Sequence, residues 1–354
     1  MRKNLVLSTL IIFAYLLAGC KSIKLWHTPT AIQPTDAQIT PTPTLPAGMT
    51  LDQAATLNSL EKIDDYPFYV MRYQGDYRTF ESSPERTQLP APVWACSLFA
   101  ALADPNSLIY GRNFDWQFSP ALLLFTDPPD GYASVSMVDI DYLGYPGDLS
   151  QQLSGLSLAE RTGLLDAPAL PFDGMNEHGL AIGMAAVPGE NINHYPQKET
   201  IGSIGLIRQV LDRARTVDEA LEILESYNID MSGGPAIHYL VADRLGKAAL
   251  AEFYQGELVI THNAQPWQMA TNFLRASISG DPQGKCWRYD RIAEEITANQ
   301  GRLIPAQAMQ LLQNVSQENT QWSVVYDMSS GQVQVAIGRS YQQVYTFSLE
   351  LASP

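Results

Sequence analysis

Cys96 opens a compact apolar run, Cys96 to Ala103, that turns through Asp104-Pro105-Asn106 and continues as Ser107 to Asn113. Turn residues between two such runs predict a β-hairpin that starts at Cys96. The returning strand carries Gly111-Arg112-Asn113-Phe114-Asp115-Trp116, which brings a cation and a carboxylate back beside the hairpin's first residue. A neighbouring Arg lowers the pKa of a thiol and holds the thiolate, the form that attacks a carbonyl carbon. A carboxylate in the same place can hold an ammonium group. No histidine is near in sequence to act as base. The α-amine of Cys96, with an ordinary pKa of about 8, can do so once the Ala95–Cys96 bond is cut. In isolation, Arg112 and Asp115 would be read as a structural ion pair at a hairpin end.

The elements that must position this hairpin are further strands at Leu180 to Val187, Ile237 to Ala242, Ala248 to Phe253, Glu257 to Thr261, Ser323 to Tyr326, Gln332 to Ile337 and Gln343 to Glu350. Two helical blocks interrupt them. Leu206, Val210, Leu211 and Ala214 share one face, and Thr216 with Glu219 forms a capping-box pattern ahead of Val217, Ala220, Leu221 and Leu224. Tyr289, Ile292, Ala293 and Ile296 form the second block, followed by a helix with Pro305 near its start and Met309, Leu312 and Val315 along it. Strands grouped around two helical blocks predict a layered protein with mostly antiparallel sheets.

Other chemistry is less favoured. His178, His194, His238 and His262 lack metal-ligand spacing. His238 and Asp243 suggest a Cys–His–Asp thiol protease, but Asp243 reads as a turn residue before Gly246. Three cysteines are too few for a disulfide framework. Cys286 reads as a small buried hydrophobe, and nothing favours its pairing with Cys96. With 22 basic and 37 acidic residues the formal charge is −15, which argues against a nucleic-acid partner.

The chain starts with Arg2 and Lys3, an apolar run Leu5 to Leu17, and then Leu17-Ala18-Gly19-Cys20. This is a secretory signal too short to span a membrane comfortably. Its end resembles a bacterial lipobox, which implies cleavage before Cys20 and a lipid on that residue. The expectation is an exported protein of the bacterial cell envelope, lipid-anchored to a membrane. Residues His27 to Gly48 are rich in Pro and Thr and predict an extended spacer. The organisation expected is a lipoprotein signal over 1–20, a linker over 21–48, a propeptide over 49–95 and a catalytic domain over 96–354.

Several segments resemble one family, the N-terminal nucleophile (Ntn) hydrolases of choloylglycine hydrolase and penicillin V acylase type. Their relatives include N-acylethanolamine-hydrolysing acid amidase and the isopenicillin N acyltransferases. The family pattern is a nucleophilic Cys followed by Gly-Arg-Asn-x-Asp, with the Arg sixteen and the Asp nineteen residues on, as Arg112 and Asp115 stand from Cys96. Asn176-Glu177-His178-Gly179-Leu180 resembles the Asn-Glu-x-Gly-Leu motif, and His238 to Asp243 with Ala251-Glu252 resembles the central hairpin. Thr271-Asn272 resembles the motif whose Asn donates to the oxyanion. Trp287-Arg288-Tyr289-Asp290-Arg291 resembles the segment with a second active-site Arg, there placed at Arg288 in preference to Arg291.

The resemblance implies an α+β fold, a four-layer αββα sandwich with two antiparallel sheets. It implies Cys96, Arg112, Asp115, Asn272 and Arg288 as catalytic residues, and self-cleavage between Ala95 and Cys96. The backbone N–H at Ala186 would complete the oxyanion hole. Bile salt and penicillin V enzymes carry an Asn at that position, and the long stretch before Cys96 fits the acid amidase and acyltransferase branch better. The implied activity is hydrolysis of linear, non-peptide amides through a thioester, on a small-molecule N-acyl amide, without cofactor or metal. A homo-oligomer stays open. An acyltransferase of the same fold and a non-catalytic lipoprotein that binds an acyl ligand are the alternatives.

Overall fold

The computed structural model describes residues 45–77, 95–189 and 191–353. The expected signal, Cys20 and nearly all of the spacer lie outside the described residues. Along the chain come helix α1 (Leu51–Asn58), strands β1 (Glu61–Asp64) and β2 (Phe68–Arg72), and then the hairpin β3 (Ala95–Ala101) and β4 (Ile109–Asp115). Strands β5 (Ala121–Thr126) and β6 (Ser134–Asp139) follow, then a one-turn helix α2 (Asp148–Gln151), β7 (Asp173–Asn176), β8 (Ala181–Ala186) and β9 (Glu199–Gly202). Helices α3 (Ser203–Arg213) and α4 (Val217–Ser226) precede β10 (Tyr227–Asp230), β11 (Ile237–Ala242), β12 (Ala248–Tyr254), β13 (Glu257–His262) and β14 (Trp267–Ala270). The chain closes with α5 (Trp287–Ala298), α6 (Pro305–Asn314), β15 (Thr320–Asp327), β16 (Gln332–Ile337) and β17 (Tyr345–Ser348).

Fifteen of these strands form two large sheets. One has nine strands in the order β1-β2-β5-β6-β7-β8-β11-β12-β13, the other six in the order β14-β3-β4-β15-β16-β17. Helices α3 and α4 pack against the larger sheet, α5 and α6 against the smaller, and β3 faces β8 between them. This is the four-layer αββα sandwich. Strands β3 to β8, β11 and β15 are buried along almost their whole lengths, as strands covered on both faces must be. All neighbours in the two sheets are antiparallel except β2 and β5. Between those two the chain visits the other sheet, so no tight turn imposes an antiparallel return.

Local chemistry explains the turns that matter. Gly179 has φ +70°, and a Cβ there would lie 2.5 Å from the Met328 carbonyl oxygen. The β7–β8 turn therefore requires glycine. Asn176 fixes the same turn: its Oδ1 accepts from the His178 and Leu180 amides, while its Nδ2 donates to the Leu211 and Ala214 carbonyls at the end of α3. Thr216 caps α4 by accepting from the Glu219 amide, but Glu219 does not complete the reciprocal box. Its carboxylate accepts from the Arg215 amide instead.

Residues 57–77, within the described part of the segment before Cys96, add side chains to the core. Buried Phe68 on β2 meets Tyr345 and Phe347 of β17 with ring centroids 5.7 and 6.0 Å apart, so it helps to join the two sheets. Tyr69 donates to the Ser150 carbonyl, and Tyr77 donates to Asp212, which also pairs with Arg208. Phe68→Ala is expected to cost about 3–5 kcal/mol, measured by urea unfolding with an unchanged m-value.

Candidate active site

The hairpin places its functional groups on two opposite faces. Cys96 pairs with Phe114, Leu98 with Arg112, Ser97 with Asn113 and Ala95 with Asp115. Side chains alternate along a strand, so Cys96 and Arg112 point between the sheets while Asp115, Asn113 and Ser97 point to the helical layer. Gly111 makes room for this hairpin to close. A Cβ there would fall 2.5 Å from the Phe99 ring.

On the inner face, the Arg112 guanidinium reaches the Cys96 Sγ at 3.9 Å and forms a fully buried ion pair with Asp173 of β7. Asp173 also accepts from the Tyr326 hydroxyl of β15. Burial pushes the Cys96 thiol up, and Arg112 opposes that shift. On the outer face, Asp115 accepts from Thr320 Oγ1 at 2.5 Å and Gln317 Nε2 at 2.9 Å, with Arg288 Nη1 at 3.8 Å. Burial pushes this carboxyl up, and those two hydrogen bonds and Arg288 pull against it. Arg112 and Asp115 each have other partners, so they are not the hairpin ion pair that sequence alone would allow.

Asn272 joins the third strand to the site. The β14–β3 register, Ala270 opposite Leu98, brings Asn272 opposite Cys96 when carried two residues on. Beyond the end of β14 its side chain supplies what the ladder no longer does. The Cys96 amide donates to Asn272 Oδ1 at 2.7 Å, and Asn272 Nδ2 donates to the Ala186 carbonyl at 2.7 Å. Arg288 Nη2 donates to the same Oδ1 at 2.8 Å. Two donors on one oxygen fix the orientation of the amide, and the second Nδ2 proton stays available to a further acceptor.

Arg288 enters from the first turn of α5. It donates to the Cys96 carbonyl and to Ser97 Oγ as well as to Asn272. Arg291, one turn on, pairs with Glu294 and Glu295 at the surface. The structure thus brings Ala95, Cys96, Arg112, Asp115, Ala186, Asn272 and Arg288 together. It does not assemble the protease constellation. His238 is held by Glu252 at 3.0 Å, while Asp243 accepts from the Val217, Leu245 and Lys247 amides. Cys96 and Cys286 are both free.

Sequence reasoning missed Asp173, Tyr326, Gln317 and Thr320. Asp173 lies three residues before Asn176, and an acidic residue within a strand run was the available signal. The others are ordinary polar residues: the pairing of β15 with β4 brings Thr320 to Asp115, Gln317 reaches the same carboxylate from just before β15, and Tyr326 of β15 reaches Asp173 of the other sheet.

A family model described as acyl-coenzyme A:6-aminopenicillanic acid acyl-transferase matches residues 171–342. That span holds Asp173, Ala186, Asn272 and Arg288 but starts after the Cys96 hairpin. Among solved structures, the chain is similar to a penicillin V acylase from Agrobacterium tumefaciens, at 18% identity and a TM-score of 0.51, over 72% of this chain and 86% of that one. It is also similar to a conjugated bile acid hydrolase from Clostridium perfringens, at 17% identity and a TM-score of 0.51, over 72% of this chain and 92% of that one. No curated protein sequence matches.

Burial makes Asp115 harder to ionise in the folded chain than in the unfolded one, so its charge costs stability at neutral pH. That cost fades as acid protonates it. In a Cys96→Ala background, Asp115→Asn is expected to leave Tm equal or higher at neutral pH, with Gln317 turning its amide to suit. The advantage should shrink towards about pH 4, as read by thermal unfolding at both pH values. A lower Tm at neutral pH would show that the ionised carboxylate stabilises the fold.

Proposed function

We propose that this chain, whose αββα fold and family match support the Ntn-hydrolase superfamily of the choloylglycine hydrolases and penicillin V acylases, is a self-processing cysteine amidohydrolase. Its substrates are linear, non-peptide N-acyl amides. The observation that carries the reading is the bridge made by Asn272, which ties the Cys96 amide to Ala186 under the grip of Arg288. The thiol meets the Arg112 guanidinium and the Asp115 backbone amide, neither of which can accept its proton. A base must therefore come from elsewhere, and the freed α-amine of Cys96 suits the task.

The first reaction is on the chain itself. Cys96 Sγ attacks the Ala95 carbonyl carbon, the C–N bond breaks, and the nitrogen takes up the thiol proton to become the Cys96 amine. Water then splits the thioester, leaving a carboxylate on Ala95 and a thiol on Cys96. In turnover the amine takes the thiol proton, and the thiolate attacks the substrate amide. The free Nδ2 proton of Asn272 and the Ala186 backbone N–H stabilise the oxyanion. The leaving amine departs with the proton, and water releases the acid. Arg112 holds the thiolate, Asp115 steadies the Cys96 amine, and Arg288 keeps Asn272 in place. The match to an acyltransferase family supports a second course, in which an amine in place of water takes the acyl group.

Intact-mass analysis of the purified protein is expected to show a fragment starting at Cys96, and Cys96→Ala should stay full length. Because burial raises the thiol pKa, cleavage should quicken as pH rises through the neutral range. The mature protein is then assayed on a panel of N-acyl amides, homoserine lactones and penicillin V, with and without an acceptor amine. An active enzyme still joined at Ala95–Cys96 would overturn the scheme.

We also read Cys20 as the lipid attachment site. After the cut, β2 and its pairing with β5 would hold the catalytic part to the anchored segment. Fractionation should find the Cys96 fragment with membranes in wild type and released in Cys20→Ala; equal release from both would count against the anchor.

A further inference from the structure

We infer that Glu252 and His238 are a positioning pair that sets the Asn272 amide, and through it the rate of every acyl transfer at Cys96. The inference rests on the reading of Asn272 as oxyanion donor. Glu252 lies on β12 and His238 on β11, both fully buried. The register Tyr239 opposite Ala251, taken one step along, sets them across from each other. His238 Nδ1 and Glu252 Oε1 are 3.0 Å apart. The carboxylate also accepts from two backbone amides, Arg275 at 2.8 Å and Ala276 at 2.7 Å.

Those amides lie just beyond Asn272. The segment Thr271 to Leu274 is fixed at one end by the β14–β3 ladder and at the other by Glu252. Charge-assisted bonds to backbone N–H groups are short and about twice as strong as neutral ones. They can hold a backbone where an apolar contact would let it slide. His238 works from the other side. It pairs with Ala185 of β8, the neighbour of Ala186 whose carbonyl Asn272 grips. The pair therefore touches both pieces of chain that carry the oxyanion donors. An apolar pair of similar volume would fill the same space without a buried carboxylate that must be satisfied. What it could not do is fasten the Arg275 and Ala276 amides. A displacement of about 1 Å in a donor can cost about 100-fold in rate.

Self-cleavage is the readout, because it needs no knowledge of the substrate. The full chain is made by cell-free translation, and the appearance of the Cys96 fragment is timed. Glu252→Gln keeps the volume but turns an NH₂ group against a backbone donor. It is expected to slow cleavage at least about 10-fold, and to add nothing further in an Asn272→Ala background, since groups acting through one another are not additive. His238→Leu should slow cleavage, and His238→Asn, which can still donate to Glu252, should restore it to within about 3-fold. Thermal unfolding checks that each variant folds. Equal slowing by Glu252→Gln in both backgrounds would overturn the inference, as would Leu and Asn having the same effect at 238. A wild-type chain that never cuts would overturn the proposed function along with it. A wild type and a Glu252→Gln chain that cut equally fast would overturn the pair alone.

Discussion

The side chain of Asn272 stands where a strand should be. Strand β14 stops at Ala270, two residues short of the point where its ladder would meet Cys96. An amide has one oxygen and two protons, and this one uses them to take over the ladder. The oxygen satisfies the Cys96 amide and Arg288, and one proton satisfies Ala186 of the other sheet. Because the bridge crosses from the smaller sheet to the larger, the geometry at Cys96 depends on how the two sheets are stacked. The inter-sheet contacts serve the site as much as the core. Tyr110 donates to the Leu240 carbonyl, and Gly183 lies where a Cβ would strike the Tyr110 hydroxyl at 2.9 Å.

Charge is divided between the two faces of the β3–β4 hairpin. Arg112 is neutralised by Asp173 inside the sandwich, and Asp115 is held by neutral donors with Arg288 nearby on the helical side. A cation and an anion three residues apart in sequence thus act through different layers. Breaking the Arg112–Asp173 pair by removing one partner leaves a buried charge, which is far costlier than the pair itself is stabilising.

Much of this was legible in the sequence, for identifiable reasons. The hairpin is read from a local turn and an apolar pattern, and β11 and β16 fall at the expected residues because their apolar runs are sharply bounded. Strands β5 and β6 went unread. Ala121-Leu122-Leu123-Leu124-Phe125 is apolar without alternation, which a buried helix would also allow. Arg288 and Arg291 differ by one helical turn, and packing alone decides that one is buried and the other surface-exposed. The roles of Asp173 and Glu252 were not legible, because their partners are Arg112, His238 and the amides of residues 275 and 276, brought near only by strand order.

The separations along the chain carry a consequence for timing. Cys96 meets Asn272 across 176 residues and Arg288 across 192, and Asp115 meets Thr320 across 205. Contacts of such range form late, since closing long loops must come before the contacts that reward it. During synthesis the hairpin emerges from the ribosome well before β15. On the proposed scheme the Ala95–Cys96 bond would stay intact on a nascent or half-folded chain, and its scission would record that both sheets had been completed.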